Sequence, residues 1–181
     1  ILGSGVPLGP AFGLVDYCRV GSDVGLQWED KALRFAGYRE RMSAQNSLLS
    51  VIGRRHLSGR AFVNAPDVFI LRTSNQSMTQ DQRMTLFRIN LALGGVLLTS
   101  DDPAEYDESE LSSYLSVFPF AEKKVKDIEM HGDTYLLRLS SEDGGSALIT
   151  NLSEEPQTLL IQPGTYETGS AGGIGPDGRL T

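Results

Sequence analysis

Strand-like and helix-like segments alternate along residues 1–117, and from about residue 118 onward only strand-like segments follow. That change of texture constrains the fold more than any composition figure. Regular strand–helix alternation builds parallel sheet with crossover helices, whereas successive strands joined by tight turns build antiparallel sheet. The expectation is an α/β region over 1–117 and a small antiparallel β-sandwich over 118–181.

In the first region the strand candidates are 1–5, 14–20, 60–63 and 96–99. A long helix is expected over 29–53, where Asp30 and Arg34 are four apart and Gly53 supplies a stop. A second helix should start at the Thr79–Gln82 capping-box pair, carry Met84, Phe87 and Leu91 on one face, and end at Gly94 and Gly95. A third should run over 107–117, after the acidic loop Ser100-Asp101-Asp102-Pro103. The later strands are expected at 124–130, 134–139, 147–151 and 158–161. The tail 169–178 is glycine-rich, and Leu180-Thr181 could open a further strand.

Four strands interleaved with three helices match part of a (β/α)8 TIM barrel, which closes only with eight. The alternative is a small open α/β sheet. The chain also opens directly on Ile1-Leu2-Gly3 without a methionine, so the expectation is a start inside a larger protein, at a buried strand. Bare edge strands expose unpaired backbone groups, so the partner expected for this half is the missing half of the barrel.

With 40% hydrophobic and 22% charged residues in 181, the chain has the composition of a folded domain. A formal charge of −7 argues against a phosphate-binding surface, so no nucleic acid is expected as partner. The apolar run 89–99 is interrupted by Asn90, Gly94 and Gly95 and is too short to span a bilayer; no membrane partner is expected. Cys18 is the one cysteine, which excludes an intrachain disulfide, and neither His56 nor His131 has ligand-spaced partners. A cytoplasmic location and no metal or organic cofactor are the expectations.

Function in barrels of this architecture gathers at the carboxyl ends of the strands. Four stretches stand there: Gly3-Ser4-Gly5, Arg19-Val20-Gly21-Ser22-Asp23, Asn64-Ala65-Pro66-Asp67 and Ser100-Asp101-Asp102. Carboxylates gathered at one barrel mouth suit glycoside cleavage, in which one protonates the leaving oxygen and another meets the anomeric carbon. They suit a metal site equally well.

The ordered set Ile1-Leu2-Gly3-x-Gly5-x-Pro7-Leu8, Gly13-Leu14-Val15-Asp16, Arg19-x-Gly21-x-Asp23-Val24, Asn64-x-Pro66-Asp67 and Ser100-Asp101-Asp102 resembles glycoside hydrolase family 36, the α-galactosidases or melibiases. The resemblance covers the α/β region, and the β-only tail stands where that family carries its C-terminal sandwich. It implies the C-terminal part of a retaining glycosidase that removes terminal α-galactosyl groups from melibiose- or raffinose-type sugars, in an oligomeric intact protein. It also implies that Asp23 is the general acid/base, that the nucleophilic aspartate lies on a Lys-x-Asp strand before Ile1, and that Arg19 and Ser4 contact the sugar.

The chain departs from that family pattern at three places. Ser4 replaces the usual cysteine near the sugar's 2-hydroxyl, Ser22 replaces a proline, and Ala65 replaces an aspartate. The last two are expected to loosen the acid/base loop and to remove one acceptor. Other readings stay open: galactosyl transfer or N-acetylgalactosaminide cleavage in the same site, or a non-catalytic carbohydrate-binding or assembly module. At single residues, Asp23 could instead cap a helix, and Arg19 could form an ion pair with Asp16 or Asp67. Asp67 and Asp101 read as supports for caps and loops, and Trp28 as core packing.

Overall fold

The structure, a computed structural model, describes residues 1–118, 123–141, 144–160 and 179–180. The chain divides into two compact units, Ile1–Glu122 and Lys123–Thr181.

The first unit holds β1 (Leu2–Gly3), α1 (Leu8–Ala11), β2 (Tyr17–Arg19), α2 (Lys31–Phe35), α3 (Ala44–Arg54), β3 (Val63–Ala65), α4 (Gln80–Leu93) and α5 (Glu108–Leu115). Short 3-10 turns lie at Arg55–Leu57 and Pro103–Glu105. The three strands form one parallel sheet in the order β1-β2-β3.

Their register aligns Gly3, Cys18 and Asn64 in one row, and all three are buried. Asn64 donates its side-chain N–H to the Arg54 carbonyl (3.0 Å), so this row faces the end of α3. The neighbouring row, Leu2, Tyr17 and Val63, lies on the opposite face by the two-residue alternation of a strand.

Two expectations fail locally, for identifiable reasons. The single helix expected over 29–53 is two helices. Gly37 takes φ +72° after α2, with Tyr38 N–H on the Leu33 carbonyl (2.9 Å) and Gly37 N–H on the Arg34 carbonyl (3.0 Å). That is a Schellman C-terminus, which stops a helix whatever the side-chain pattern beyond it. Ser43 then starts α3 as a new N-cap, accepting from Asn46 N–H (3.2 Å).

The strand expected over 96–99 runs beside the β3 segment without forming a ladder. Gly95 N–H reaches the Asn64 carbonyl (3.0 Å), Phe69 N–H reaches the Leu98 carbonyl (2.8 Å), and one parallel bridge joins Phe69 to Thr99. Between those contacts stands Pro66, which has no N–H to donate.

Other local signals hold. Thr79 and Gln82 form a reciprocal capping box at the start of α4, and the helix expected over 107–117 is α5, where Asp107 and Glu110 form a second, unexpected capping box. The core of this unit is built where α3 and α4 bring in Leu48, Val51, Ile52, Leu86, Phe87 and Ile89, all at most 3% exposed.

The second unit is antiparallel. β4 (Lys124–His131), β5 (Thr134–Ser141) and β6 (Gly144–Asn151) form a three-stranded sheet in sequence order, and β7 (Leu159–Leu160) pairs with β8 (Arg179–Leu180). His131 pairs with Thr134 across a tight turn in which Gly132 adopts φ +62°, open to glycine at no steric cost. The central strand buries both of its faces, with Leu136 at 3% and Leu137 at 0% exposure. The expected glycine-rich turns over 169–178 lie outside the described residues.

Two glycines in the first unit give opposite predictions. A Cβ on Gly95 would fall within the Val63 side chain, so Gly95→Ala should destabilise the protein by about 1–3 kcal/mol in urea unfolding. Gly53, in the last turn of α3, has nothing within 4 Å of where its Cβ would stand. Gly53→Ala should therefore raise stability by about 0.5 kcal/mol through helix propensity.

Candidate functional site

The candidate site lies at the carboxyl ends of the parallel strands. Arg19 ends β2 in register with Ala65 of β3, and Ser4 follows Gly3 of β1 at the same level. Ser4 is exposed, Arg19 half-buried and Ala65 fully buried.

Asp23 lies four residues beyond Arg19, and the two side chains form an ion pair in which the Asp23 carboxylate remains 51% exposed. Arg19 has a second partner: one of its terminal nitrogens donates to Asp67 Oδ1 at 3.1 Å. The other oxygen of Asp67 accepts the Val24 backbone N–H at 2.7 Å. Asp67 itself is 8% exposed, and its backbone carbonyl takes a hydrogen bond from Asn90 of α4 (3.0 Å). Arg19 thus lies between two carboxylates, one buried and one open to solvent.

The loop that carries Asp23 rests on the start of α3. A Cβ on Gly21 would come within 3.1 Å of Ser47 Oγ, and one on Gly25 within 2.8 Å of the Met42 carbonyl. Only small residues allow that approach. Ser22, expected to loosen this loop, has a partner in it: its Oγ accepts from Asn46 Nδ2 at 2.9 Å. The same nitrogen donates to the Arg39 (3.1 Å) and Arg41 (2.9 Å) carbonyls, tying the loop to the segment between α2 and α3.

Below this lies an ion pair that sequence spacing did not reveal. Glu29, with a side chain 2% exposed, accepts two bonds from Arg41, Nε to Oε1 at 2.8 Å and a terminal nitrogen to Oε2 at 2.7 Å. Burial pushes the Glu29 carboxyl up, but the hydrogen bonds from Arg41 and Ser43, the Arg41 charge and the Asp30 N–H outweigh it and hold the group below its ordinary value. The expected Asp30–Arg34 helix pair is replaced by other contacts. Asp30 caps α2 through Leu33 N–H (2.9 Å), and Arg34 reaches Gln45 (3.0 Å).

Asp101 is a third buried carboxylate. Its Oδ2 accepts from Leu71 N–H (2.6 Å), Arg72 N–H (3.1 Å) and the Tyr106 hydroxyl (2.9 Å), and its Oδ1 meets the Arg72 guanidinium. Burial, followed by the Asp101 hydrogen bond, pushes the Tyr106 phenol well above its ordinary range. With these bonds made, Asp101 secures the loop after Phe69. Trp28 is 5% exposed and belongs to the core.

Asp23 is therefore the half-exposed carboxyl of the set, next to a guanidinium whose fork of donors suits hydroxyl groups. Such a carboxyl can give a proton to a leaving oxygen and later take one from water. Among the described residues no group of three or more His, Cys, Asp or Glu is placed to hold a metal ion. A cavity of about 320 Å³ lined by Phe69, Val96, Leu97, Tyr114, Val117 and Phe118, among others, shares no residue with this cluster, and its lining is apolar.

No protein-family profile matches the sequence. Among solved structures, the fold is similar to that of an alpha-galactosidase from Thermus thermophilus in complex with p-nitrophenyl alpha-D-galactopyranoside. The TM-score is 0.63 at 23% identity, over 80% of this chain and 28% of that one. The same enzyme in complex with stachyose aligns with a TM-score of 0.59 at 24% identity, over 65% of this chain and 26% of that one. The chain thus spans little more than a quarter of the length of these structures, and what they share with it is the fold.

The Glu29–Arg41 pair gives a pH-dependent prediction. Arg41→Ala removes the doubly bonded partner of a buried carboxylate, leaving it Arg34 at 3.7 Å as a nearby cation, and should cost about 3 kcal/mol at pH 7, read by urea unfolding. In the parent, Glu29 binds its proton less tightly folded than unfolded. The pair's contribution is then complete above pH about 4.5 and is lost as pH falls through the lowered folded value. In the variant the Arg41 bonds and charge no longer oppose burial, so the folded value moves up and the stability gap between parent and variant should narrow in acid.

Proposed function

We propose that this chain is the C-terminal part of a retaining α-galactosidase that hydrolyses terminal α-galactosyl groups of melibiose- or raffinose-type sugars. In this reading residues 1–117 are the C-terminal half of a (β/α)8 barrel, completed by a half outside these residues, and 118–181 form its β-sandwich. The observation that carries the reading is the half-exposed Asp23 paired with Arg19 at the carboxyl end of β2, in a fold similar to part of an α-galactosidase.

The chemistry is a double displacement. Asp23, as the carboxylic acid, gives its proton to the glycosidic oxygen while the bond from that oxygen to the anomeric carbon breaks. An aspartate outside residues 1–181 bonds to the anomeric carbon from the opposite face. Asp23, now a carboxylate, then takes a proton from water as the water oxygen displaces that aspartate and restores the starting configuration. Retaining enzymes hold their two carboxyls about 5–5.5 Å apart. Arg19 and Ser4 are the donors assigned to the sugar's hydroxyls, with the Ser4 hydroxyl a better donor than a thiol. In this reading the intact protein is an oligomeric cytoplasmic enzyme without a metal or organic cofactor, since two carboxylates suffice.

In the full-length protein, Asp23→Ala should lower kcat/KM on melibiose by about 10²–10⁴-fold, because a sugar leaving group needs its proton. A variant that hydrolyses melibiose at the parent rate would remove Asp23 from the acid/base role. Proton NMR of the first-formed galactose should show the α-anomer, and the β-anomer would overturn the retaining mechanism.

A further inference from the structure

We propose that Asp67 is a positioning residue for Asp23: one buried carboxylate that holds the acid/base loop by its backbone and divides the charge of Arg19 between two partners. This rests on the assignment of Asp23 above and adds a residue that touches no substrate.

Asp67 brackets Asp23 in the chain. On the N-terminal side its Oδ1 takes the Arg19 guanidinium at 3.1 Å, and on the C-terminal side its Oδ2 takes the Val24 N–H at 2.7 Å. The residue between those anchors that carries the exposed carboxylate is Asp23. Asp67 is in turn fixed by Pro66, by burial to 8% exposure and by the Asn90 bond to its carbonyl, so the anchor belongs to β3 and α4 rather than to the loop it holds.

The charge arrangement has a direct consequence for acid catalysis. A guanidinium against a carboxyl stabilises the ionised form and opposes the protonated state that an acid needs before each turnover. A second carboxylate on the same guanidinium offsets that effect. The other charges packed around the loop are committed elsewhere: Arg54, at the end of α3, donates to the Val20 carbonyl, and Arg41, ahead of α3, is paired with Glu29. The nucleophilic carboxylate of the proposed mechanism would act equally in parent and variants.

The test compares Asp67→Asn and Asp67→Ala in the full-length enzyme, with Asp23→Ala alongside. Asparagine keeps an oxygen for the Val24 N–H and loses the charge, whereas alanine loses both. With the charge gone, Arg19 commits to Asp23, and the basic limb of the kcat/KM profile on melibiose should move to lower pH by about one unit in both variants. At neutral pH the loss on melibiose should be about tenfold and should exceed the loss on a dinitrophenyl galactoside, whose leaving group needs no proton. Thermal unfolding run beside the kinetics measures any loss of folded protein, which would scale both substrates alike and leave the pH profile in place. A basic limb that stays where the parent has it, or equal losses on the two substrates, would overturn the role of Asp67 while leaving that of Asp23 intact. Parent-like activity of Asp23→Ala on melibiose would instead overturn the assignment on which this inference rests.

Discussion

Three buried carboxylates hold the loops at the carboxyl ends of the parallel strands, and each does so by accepting a backbone N–H together with an arginine. Asp67 takes Val24 N–H and Arg19, Glu29 takes Asp30 N–H and Arg41, and Asp101 takes the Leu71 and Arg72 amides with the Arg72 side chain. The strands they serve are two or three residues long, so the ladder itself contributes few hydrogen bonds. Loops on so short a sheet would drift if nothing but their own backbone fixed them. Charge-assisted bonds in a half-dry setting are stronger and more directional than neutral ones, and here they replace ladder length as the source of order.

The same arrangement explains why one carboxylate in the region differs from the others. Asp67, Glu29 and Asp101 each spend their oxygens on protein donors and are removed from solvent. Asp23 keeps about half of its side-chain surface exposed beside Arg19. The carboxyls are thus separated by satisfaction and exposure rather than by residue type, and the buried members create the fixed frame in which the exposed one stands.

Helix-start signals in the sequence survive into the fold, whereas the Asp30–Arg34 spacing does not. The capping pair Thr79–Gln82 is legible because both partners lie within one turn. The break between α2 and α3 is not, because its cause is a backbone conformation at Gly37 that helical periodicity over 29–53 conceals. Pro66, opposite the segment over 96–99, hides the lack of a ladder there in a neighbour about thirty residues away. Arg19 and Asp23 stand out in the sequence because both belong to the motif Arg19-x-Gly21-x-Asp23-Val24, and the Arg19–Asp67 ion pair is one of the two alternatives that the sequence leaves open for Arg19. Glu29 and Arg41 are twelve apart across a turn and offer no spacing signal. The identity to the similar solved structures, 23–24%, is low enough that only placement in space reveals such pairs.

The amide of Asn46 carries two protons, yet its nitrogen lies within bonding distance of three acceptors, the Ser22 hydroxyl and the Arg39 and Arg41 carbonyls. Removing the hydroxyl would leave one proton for each carbonyl and no donor stranded. Loss of the hydroxyl at position 22 therefore needs no compensating change at position 46. That loss forfeits one bond, whereas any residue at 46 lacking that amide leaves the Arg39 and Arg41 carbonyls without this donor at once.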